Sequence, residues 1–107
     1  MNEIENLTEL IRSFAEKRDW GKFHTPKNLA MAITGEAGEL ASEFQWLSND
    51  EVLSLSKQDL DNVRLEIADV GIYLIRLCDV LNISLSDAIK EKIAINEKRF
   101  PELDSRL

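Results

Sequence analysis

Acidic side chains recur at helical spacing inside two largely apolar segments of the sequence. They are Glu36, Glu39 and Glu43 within residues 35–43, and Glu66 and Asp69 within residues 65–70. Residues three and four positions apart share one face of a helix, so each set would form an acidic stripe. Carboxylates placed among apolar residues need a partner that offsets their desolvation, and these segments offer few cationic side chains. A bound metal ion would meet that need.

Oxygen ligands narrow the choice of metal. A di-iron site in a helical bundle normally includes a Glu followed three residues later by a His, whereas the only histidine, His24, lies in a segment that is predicted as a loop. All-oxygen ligation suits Mg²⁺ or Mn²⁺, and Mg²⁺ commonly bridges to substrate phosphates. The corresponding chemistry is metal-assisted hydrolysis of a phosphoanhydride. Composition and spacing leave a second interpretation open, in which these acids form a solvated helix face.

The composition bounds the size and the partners of the protein. Its 107 residues predict one domain over residues 1–107, and a hydrophobic content of 44% is sufficient for a packed core. The net charge of −7 argues against a nucleic-acid polymer as a partner, because such a backbone requires a basic surface. The single cysteine, Cys78, excludes an intrachain disulfide. No signal sequence or membrane span is recognised, so we expect a cytoplasmic protein that does not contact a membrane.

The apolar periodicity predicts an all-α bundle of four helices with short connections. The predicted helices cover residues 3–18, 26–47, 57–81 and 85–99, with a short helical turn considered at 51–55. Polar residues mark the helix ends: Thr25 before Pro26, Ser56 three residues before Asp59, Ser84 three residues before Asp87, and Asn82 after the third helix. Hydroxyls at these places accept hydrogen bonds from the first free backbone N–H groups of a helix.

An ordered set of motifs resembles a known family. The motifs are Arg18-Asp19-Trp20, Phe23-His24-x-Pro26-x-Asn28-Leu29, Gly35-Glu36-x-Gly38-Glu39-Leu40, Phe44-Gln45-Trp46, Asp69-Val70-x-Ile72-Tyr73-Leu74 and Lys92-x-x-x-Asn96-x-x-Arg99-Phe100-Pro101. Together with the spaced acid pairs, they resemble the all-α nucleotide pyrophosphohydrolases of the MazG-like superfamily, and in particular its dCTP pyrophosphatase branch. The resemblance spans residues 10–101, which is nearly the whole chain.

This resemblance implies a fold and an activity. It implies a four-helix-bundle-like MazG fold that assembles as a homodimer or homotetramer. The implied reaction is Mg²⁺-dependent hydrolysis of a deoxynucleoside triphosphate, with dCTP favoured, to the monophosphate and pyrophosphate, and Mn²⁺ is a possible substitute for Mg²⁺. Such a reaction would clean or regulate the nucleotide pool. The positions that match the family's metal ligands are Glu36, Glu39, Glu66 and Asp69. Of these, Glu36 or Glu39 is expected to orient or deprotonate the attacking water.

Further positions match residues that would contact the nucleotide. They are Trp20, His24, Asn28, Trp46, Tyr73, Lys92, Asn96 and Arg99. The tryptophans are expected to stack on the base, and His24 to form a hydrogen bond with the base or a phosphate. Tyr73 is expected to pack on the deoxyribose where a 2′-hydroxyl would otherwise fit. Lys92 and Arg99, with Lys98 as a looser candidate, would neutralise phosphate charge.

Glu43 departs from the branch that the chain resembles. That branch is expected to carry an apolar residue there and an acid one position earlier, where this chain has Ser42. Glu43 is therefore left as a supporting residue, an extra ligand or a surface charge.

Other functions remain open on the sequence alone. Within the same reaction class, the substrate could be dUTP or a modified deoxynucleotide. A different class is a non-catalytic helical module that senses nucleotides or binds a protein through its apolar faces. A purely structural bundle is the third alternative, and it predicts no stabilisation by Mg²⁺ and nucleotide.

Overall fold

The computed structural model describes residues 1–103, and over this range it is helical without a strand. Its helices are α1 (Glu3–Lys17), α2 (Pro26–Ser42), α3 (Asn49–Val52), α4 (Lys57–Val80) and α5 (Leu85–Arg99). The prediction of an all-α fold is confirmed, and α1, α4 and α5 end within one residue of their predicted bounds. None of the helices within residues 1–103 is both long enough and apolar enough to cross a bilayer.

The predicted polar caps begin the three long helices that follow α1. In each case the hydroxyl accepts a hydrogen bond from the backbone N–H three residues later: Thr25 from Asn28 at 3.2 Å, Ser56 from Asp59 at 3.1 Å, and Ser84 from Asp87 at 3.3 Å. Asn82, predicted as the cap after the third predicted helix, adopts a φ of 57°. Asparagine tolerates this left-handed conformation better than most residues, so the chain turns sharply into α5.

Helix α2 ends at Ser42, so its predicted end at Leu47 is wrong. The backbone N–H groups of Glu43 and Phe44 donate to carbonyls three residues earlier, at 3.2 and 3.1 Å, and the helix tightens into a turn. The Ser42 hydroxyl also donates to the Glu39 carbonyl at 2.7 Å, which occupies an acceptor near the helix end. Apolar residues continue the helical period past this point, but the backbone does not follow it.

The core lies where α4 packs between α1 and α2. Four apolar side chains from these helices are buried there: Ala15, Leu29, Val63 and Ile75. Helix α5 makes at most marginal contact with the other long helices, and its Ile89 and Ile93 are about half exposed, at 50% and 52%. The radius of gyration is 17.6 Å, whereas a compact chain of this length would have about 13 Å. The single chain therefore leaves much apolar surface uncovered, including several leucines and isoleucines of α4 and three isoleucines of α5, Ile89, Ile93 and Ile95.

Candidate active site

Three carboxylates meet where α2 faces α4. Glu36 and Glu39 come from α2 and Glu66 from α4, and one carboxylate oxygen of each lies within 4.8 Å of the others. The i, i+3 spacing places both α2 acids on the face that packs against α4. The structure thus brings together three of the four predicted metal ligands in one cluster, which we call the acid cluster.

The acid cluster contains buried carboxylate oxygens that receive no hydrogen bond from neighbouring residues. Among the described residues, no hydrogen-bond donor reaches Oε2 of Glu36 or Oε2 of Glu66, although both atoms are buried. Burial, followed by the charge of Glu39, raises the pKa of Glu36 to about 7. Burial also raises the pKa of Glu66. Unpaired buried carboxylate oxygens are unfavourable, so this donor set fits a divalent cation that accepts oxygen ligands.

Two further predicted acids lie at the margin of the cluster. Asp69 follows Glu66 by one turn of α4 and lies outside the 4.8 Å group, yet its charge contributes to the raised pKa of both Glu36 and Glu66. Asp69 also lines the adjacent cavity described below. Glu43 caps the C-terminus of α2 outside the cluster, because α2 loses its helical geometry there. Asp69 is thus placed between the acid cluster and the cavity, whereas Glu43 is not.

A cavity of about 570 Å³ opens beside Asp69. Residues of α1, α2, α4 and the 18–24 turn line it, and they include four of the predicted substrate residues: Trp20, His24, Asn28 and Tyr73. The Trp20 ring meets the rings of Phe14 and His24 edge to face, with centroids 5.6 and 6.1 Å apart. An aromatic-lined cavity of this size, with few polar groups, suits a flat heterocyclic ligand.

Asn28 has a structural part in this arrangement. Its side-chain amide donates to the Phe23 carbonyl at 3.0 Å, and its backbone N–H donates to the Thr25 cap. Asn28 therefore fixes the turn that carries Phe23 and His24 against the start of α2. Asn28 lines the cavity, but its side-chain amide is already engaged by the protein.

Arg76 is a cavity residue that sequence reasoning missed. It is buried on α4 at 8% exposure, and its Nε–H donates to Nδ1 of His24 at 3.0 Å. Its Nη1 donates to Asp79 at 3.0 Å. Arg76 follows Tyr73 by three residues and Asp69 by seven, so helical spacing from these two positions was the signal that could have found it.

The structure does not bring the remaining predicted residues to the cavity. Trp46 follows α2 in a turn closed by the Leu47 N–H, which donates to the Phe44 carbonyl at 2.9 Å, and it is 86% exposed. The other four lie on α5, away from the lining of the cavity: Lys92, Asn96, Lys98 and Arg99. Within one chain, none of these five side chains lines the aromatic cavity.

Comparison with known proteins decides the family. The model of the MazG-like family matches residues 31–106. The chain belongs to the MazG-like family. A solved structure of a pyrophosphatase from Archaeoglobus fulgidus superposes on this MazG-like chain with a TM-score of 0.89, at 43% sequence identity and 95% coverage of both chains. The predicted family resemblance is confirmed.

Curated relatives extend the comparison. dCTP pyrophosphatase 1 from Rattus norvegicus is 39% identical over 100 residues, and the same protein from Homo sapiens is 38% identical over 100 residues. In both cases the match covers 92% of the MazG-like chain and 59% of the relative. The chain thus spans about three fifths of the length of these relatives.

Proposed function

We propose that this MazG-like protein hydrolyses a deoxynucleoside triphosphate, with dCTP favoured, to the monophosphate and pyrophosphate in a Mg²⁺-dependent reaction. The observation that carries the proposal is the acid cluster, with its unpartnered buried oxygens, beside an aromatic cavity. The names of the similar proteins, dCTP pyrophosphatase 1 and a pyrophosphatase, support the same reaction class. Removal of such nucleotides would serve house-cleaning of the nucleotide pool.

Glu36, Glu39 and Glu66 would hold the Mg²⁺, with Asp69 completing the ligand set at the edge of the cavity. Mn²⁺, which prefers the same oxygen ligands, would be a substitute. When bound, the ion neutralises phosphate charge and makes a water molecule more acidic. The acid cluster would thereby hold the triphosphate next to the cavity that would accept the base.

The chain's own carboxylates supply the remaining chemistry at this position. Glu36 or Glu39 orients the attacking water and accepts its proton while the water oxygen bonds to phosphorus. The bond that breaks is the bridge between the α- and β-phosphates, and pyrophosphate leaves. Burial and the neighbouring acids raise the pKa of Glu36 to about 7 in the metal-free chain. A bound cation would lower this pKa, so that the carboxylate is unprotonated and able to accept a proton at neutral pH.

The turnover experiment measures pyrophosphate release from each of the four deoxynucleoside triphosphates, dUTP, 5-methyl-dCTP and CTP, with Mg²⁺ or with a chelator. We expect Mg²⁺-dependent release, highest with dCTP. Release from dUTP or the methylated nucleotide alone would keep the reaction class and change the substrate. Binding of nucleotide without release would instead identify a non-catalytic sensor.

Tyr73 is expected to discriminate deoxyribose from ribose. It lies one turn of α4 beyond Asp69 and lines the cavity, so its ring would occupy the space of a 2′-hydroxyl. We expect Tyr73→Ala to lower the ratio of kcat/KM for dCTP to that for CTP by about tenfold, which corresponds to about 1.4 kcal/mol. Tyr73→Phe keeps the ring and should keep the ratio. Unchanged discrimination in Tyr73→Ala would show that another group excludes the hydroxyl.

We further propose that a second copy of the chain completes the site in a homodimer or homotetramer. The half-exposed isoleucines of α5 would be covered in such an assembly, and the α5 cations and Trp46 would meet the acid cluster of a neighbouring subunit. This explains why these predicted residues lie away from the cavity of their own chain.

Mixing two inactive variants tests this assembly. A mixed dimer of Glu39→Gln and Lys92→Ala would contain one site with both lesions and one site with neither. Statistical exchange is therefore expected to restore about a quarter of wild-type turnover, and light scattering should show a dimer or tetramer. A monomer, or mixtures that stay inactive after subunit exchange, would contradict shared sites.

A further inference from the structure

Arg76 is anchored on two sides inside the cavity wall. Its Nη1 donates to Asp79 at 3.0 Å, and its Nε donates to His24 at 3.0 Å. Asp79 is held in turn from α1, where Arg12 Nε donates to it at 2.8 Å. A buried guanidinium requires partners of this kind. Because Nε and Nη1 of Arg76 both donate to protein groups, the guanidinium cannot reorient toward a phosphate without losing these hydrogen bonds.

The hydrogen bond from Arg76 determines the protonation pattern of His24. A guanidinium has donors and no acceptor, so Nδ1 of His24 must accept with an unprotonated nitrogen. A neutral imidazole whose Nδ1 is unprotonated carries its proton on Nε2. Burial and the positive charge of Arg76 also lower the pKa of His24, which keeps the ring neutral. His24 therefore offers one N–H donor, at Nε2.

That donor belongs to a ring that lines the aromatic cavity. His24 and Arg76 both contribute to the cavity wall, and within residues 1–103 no protein acceptor is hydrogen-bonded to His24 Nε2. The surrounding wall is aromatic and suits a base, whereas the acid cluster, where phosphates would lie, is on another part of the α2–α4 face. A single fixed donor in such a wall can select a ring carbonyl or ring nitrogen.

We propose that Arg76 is a positioning residue that holds His24 as the Nε2–H tautomer, so that this N–H donates to an acceptor atom of the nucleobase in the cavity. The inference rests on the proposed function and adds a specificity determinant to it. Arg76 acts through His24 and does not itself touch the substrate. Asp79, which accepts a hydrogen bond from Arg12, keeps the guanidinium of Arg76 in position to donate to His24.

The protonation pattern is tested on the unmodified protein. His24 is the only histidine of the chain, so untagged ¹⁵N-labelled protein gives one set of imidazole signals. We expect a protonated Nε2, an unprotonated Nδ1, and a scalar coupling across the hydrogen bond between Arg76 Nε and His24 Nδ1. A protonated Nδ1 would overturn the proposal without any substitution.

The kinetic test compares Arg76→Met with Arg64→Met, an exposed arginine of α4 whose side chain is 67% accessible. Loss of one positioned hydrogen bond is expected to raise KM for dCTP about tenfold in Arg76→Met, with kcat within about twofold. Arg64→Met should match the wild type. Inhibition by inorganic triphosphate, which has no base, should be the same in all three proteins. Weaker inhibition of Arg76→Met by inorganic triphosphate would show that the lost contact is with a phosphate, and it would overturn the proposal.

A double-mutant cycle separates positioning from simple packing. If Arg76 acts through His24, then Arg76→Met should have no further effect on KM in a His24→Ala background. Asp79→Asn weakens the hydrogen bond that holds Arg76, so it should raise KM for dCTP less than Arg76→Met does. In the His24→Ala background, Asp79→Asn should likewise have no further effect on KM. If the effects of Arg76→Met and His24→Ala on KM multiply in the double variant, the inference is overturned. Turnover by the wild type would still uphold the proposed function. Absence of turnover in the wild type would overturn both.

Discussion

Replacing Glu39 with glutamine is expected to lower kcat/KM by about a hundredfold to a thousandfold, because it removes a carboxylate that would hold the ion and accept the proton of the attacking water. The same substitution should raise the melting temperature of the metal-free protein. Glu39 is the exposed member of the acid cluster, and its charge raises the pKa of both Glu36 and Glu66. Removal of that charge relieves repulsion between like charges, so stability and activity should change in opposite directions.

Glu43→Gln is the matched control, because it makes the same chemical change four residues later in the chain. Glu43 caps α2 outside the acid cluster, so turnover and the metal-free melting temperature should both stay near those of the wild type. Turnover assays and thermal unfolding with a chelator measure the two quantities. Equal losses of activity in both variants would show that Glu43 is a ligand and that the cluster extends beyond the end of α2.

The second large effect is that the metal-free protein should become less stable as the pH rises. Glu36 has a folded-state pKa of about 7, raised from 4.5 mainly by burial. Between these values the folded chain binds more protons at Glu36 than the unfolded chain, so the free energy of unfolding falls as pH rises. Divalent metal replaces the proton, and Mg²⁺ at 100 times its dissociation constant should restore about 2.7 kcal/mol at neutral pH.

Thermal unfolding near pH 5 and pH 7.5, with chelator, Mg²⁺ or Mn²⁺, measures this dependence. His24 acts in the opposite sense: its lowered folded-state pKa makes its contribution to stability decrease as pH falls below about 6.5. The difference between wild type and Glu36→Gln cancels the contribution of His24 and reports the acid cluster, since Glu36 also affects the pKa of Glu66. An unaltered pH slope in Glu36→Gln, or the absence of metal stabilisation in the wild type, would contradict the assigned cation site.

Local signals in the sequence predicted most of the secondary structure. Thr25 with Pro26, Ser56 and Ser84 each form the cap that their residue types and positions favour. The end of α2 was mispredicted because Phe44 and Leu47 continue the apolar period, while the backbone at Glu43 has already tightened into a turn. Periodicity reports which side chains prefer burial, and it does not report where hydrogen bonding changes from one helical form to another.

The candidate site could be predicted only in part from the sequence. The i, i+3 spacing of Glu36 with Glu39 predicted a shared helix face, and the structure places that face against Glu66. Arg76 was missed although its spacing from Tyr73 and Asp79 is helical, because that spacing does not reveal which of its partners lies at the cavity. Those partners, His24 and Asp79, lie 52 residues and 3 residues away along the chain.

Residue type and spacing alone established the helical class, the starts of the long helices and the acid pairs, because each depends on neighbours within a few residues. The order of motifs over residues 10–101 established the family resemblance. Packing of α4 between α1 and α2 decided which acids meet, which aromatic rings enclose the cavity, and how His24 is protonated. Packing also decided that α5 extends away from the other helices with its apolar residues exposed. These features depend on contacts between distant segments, and local spacing carries no information about such contacts.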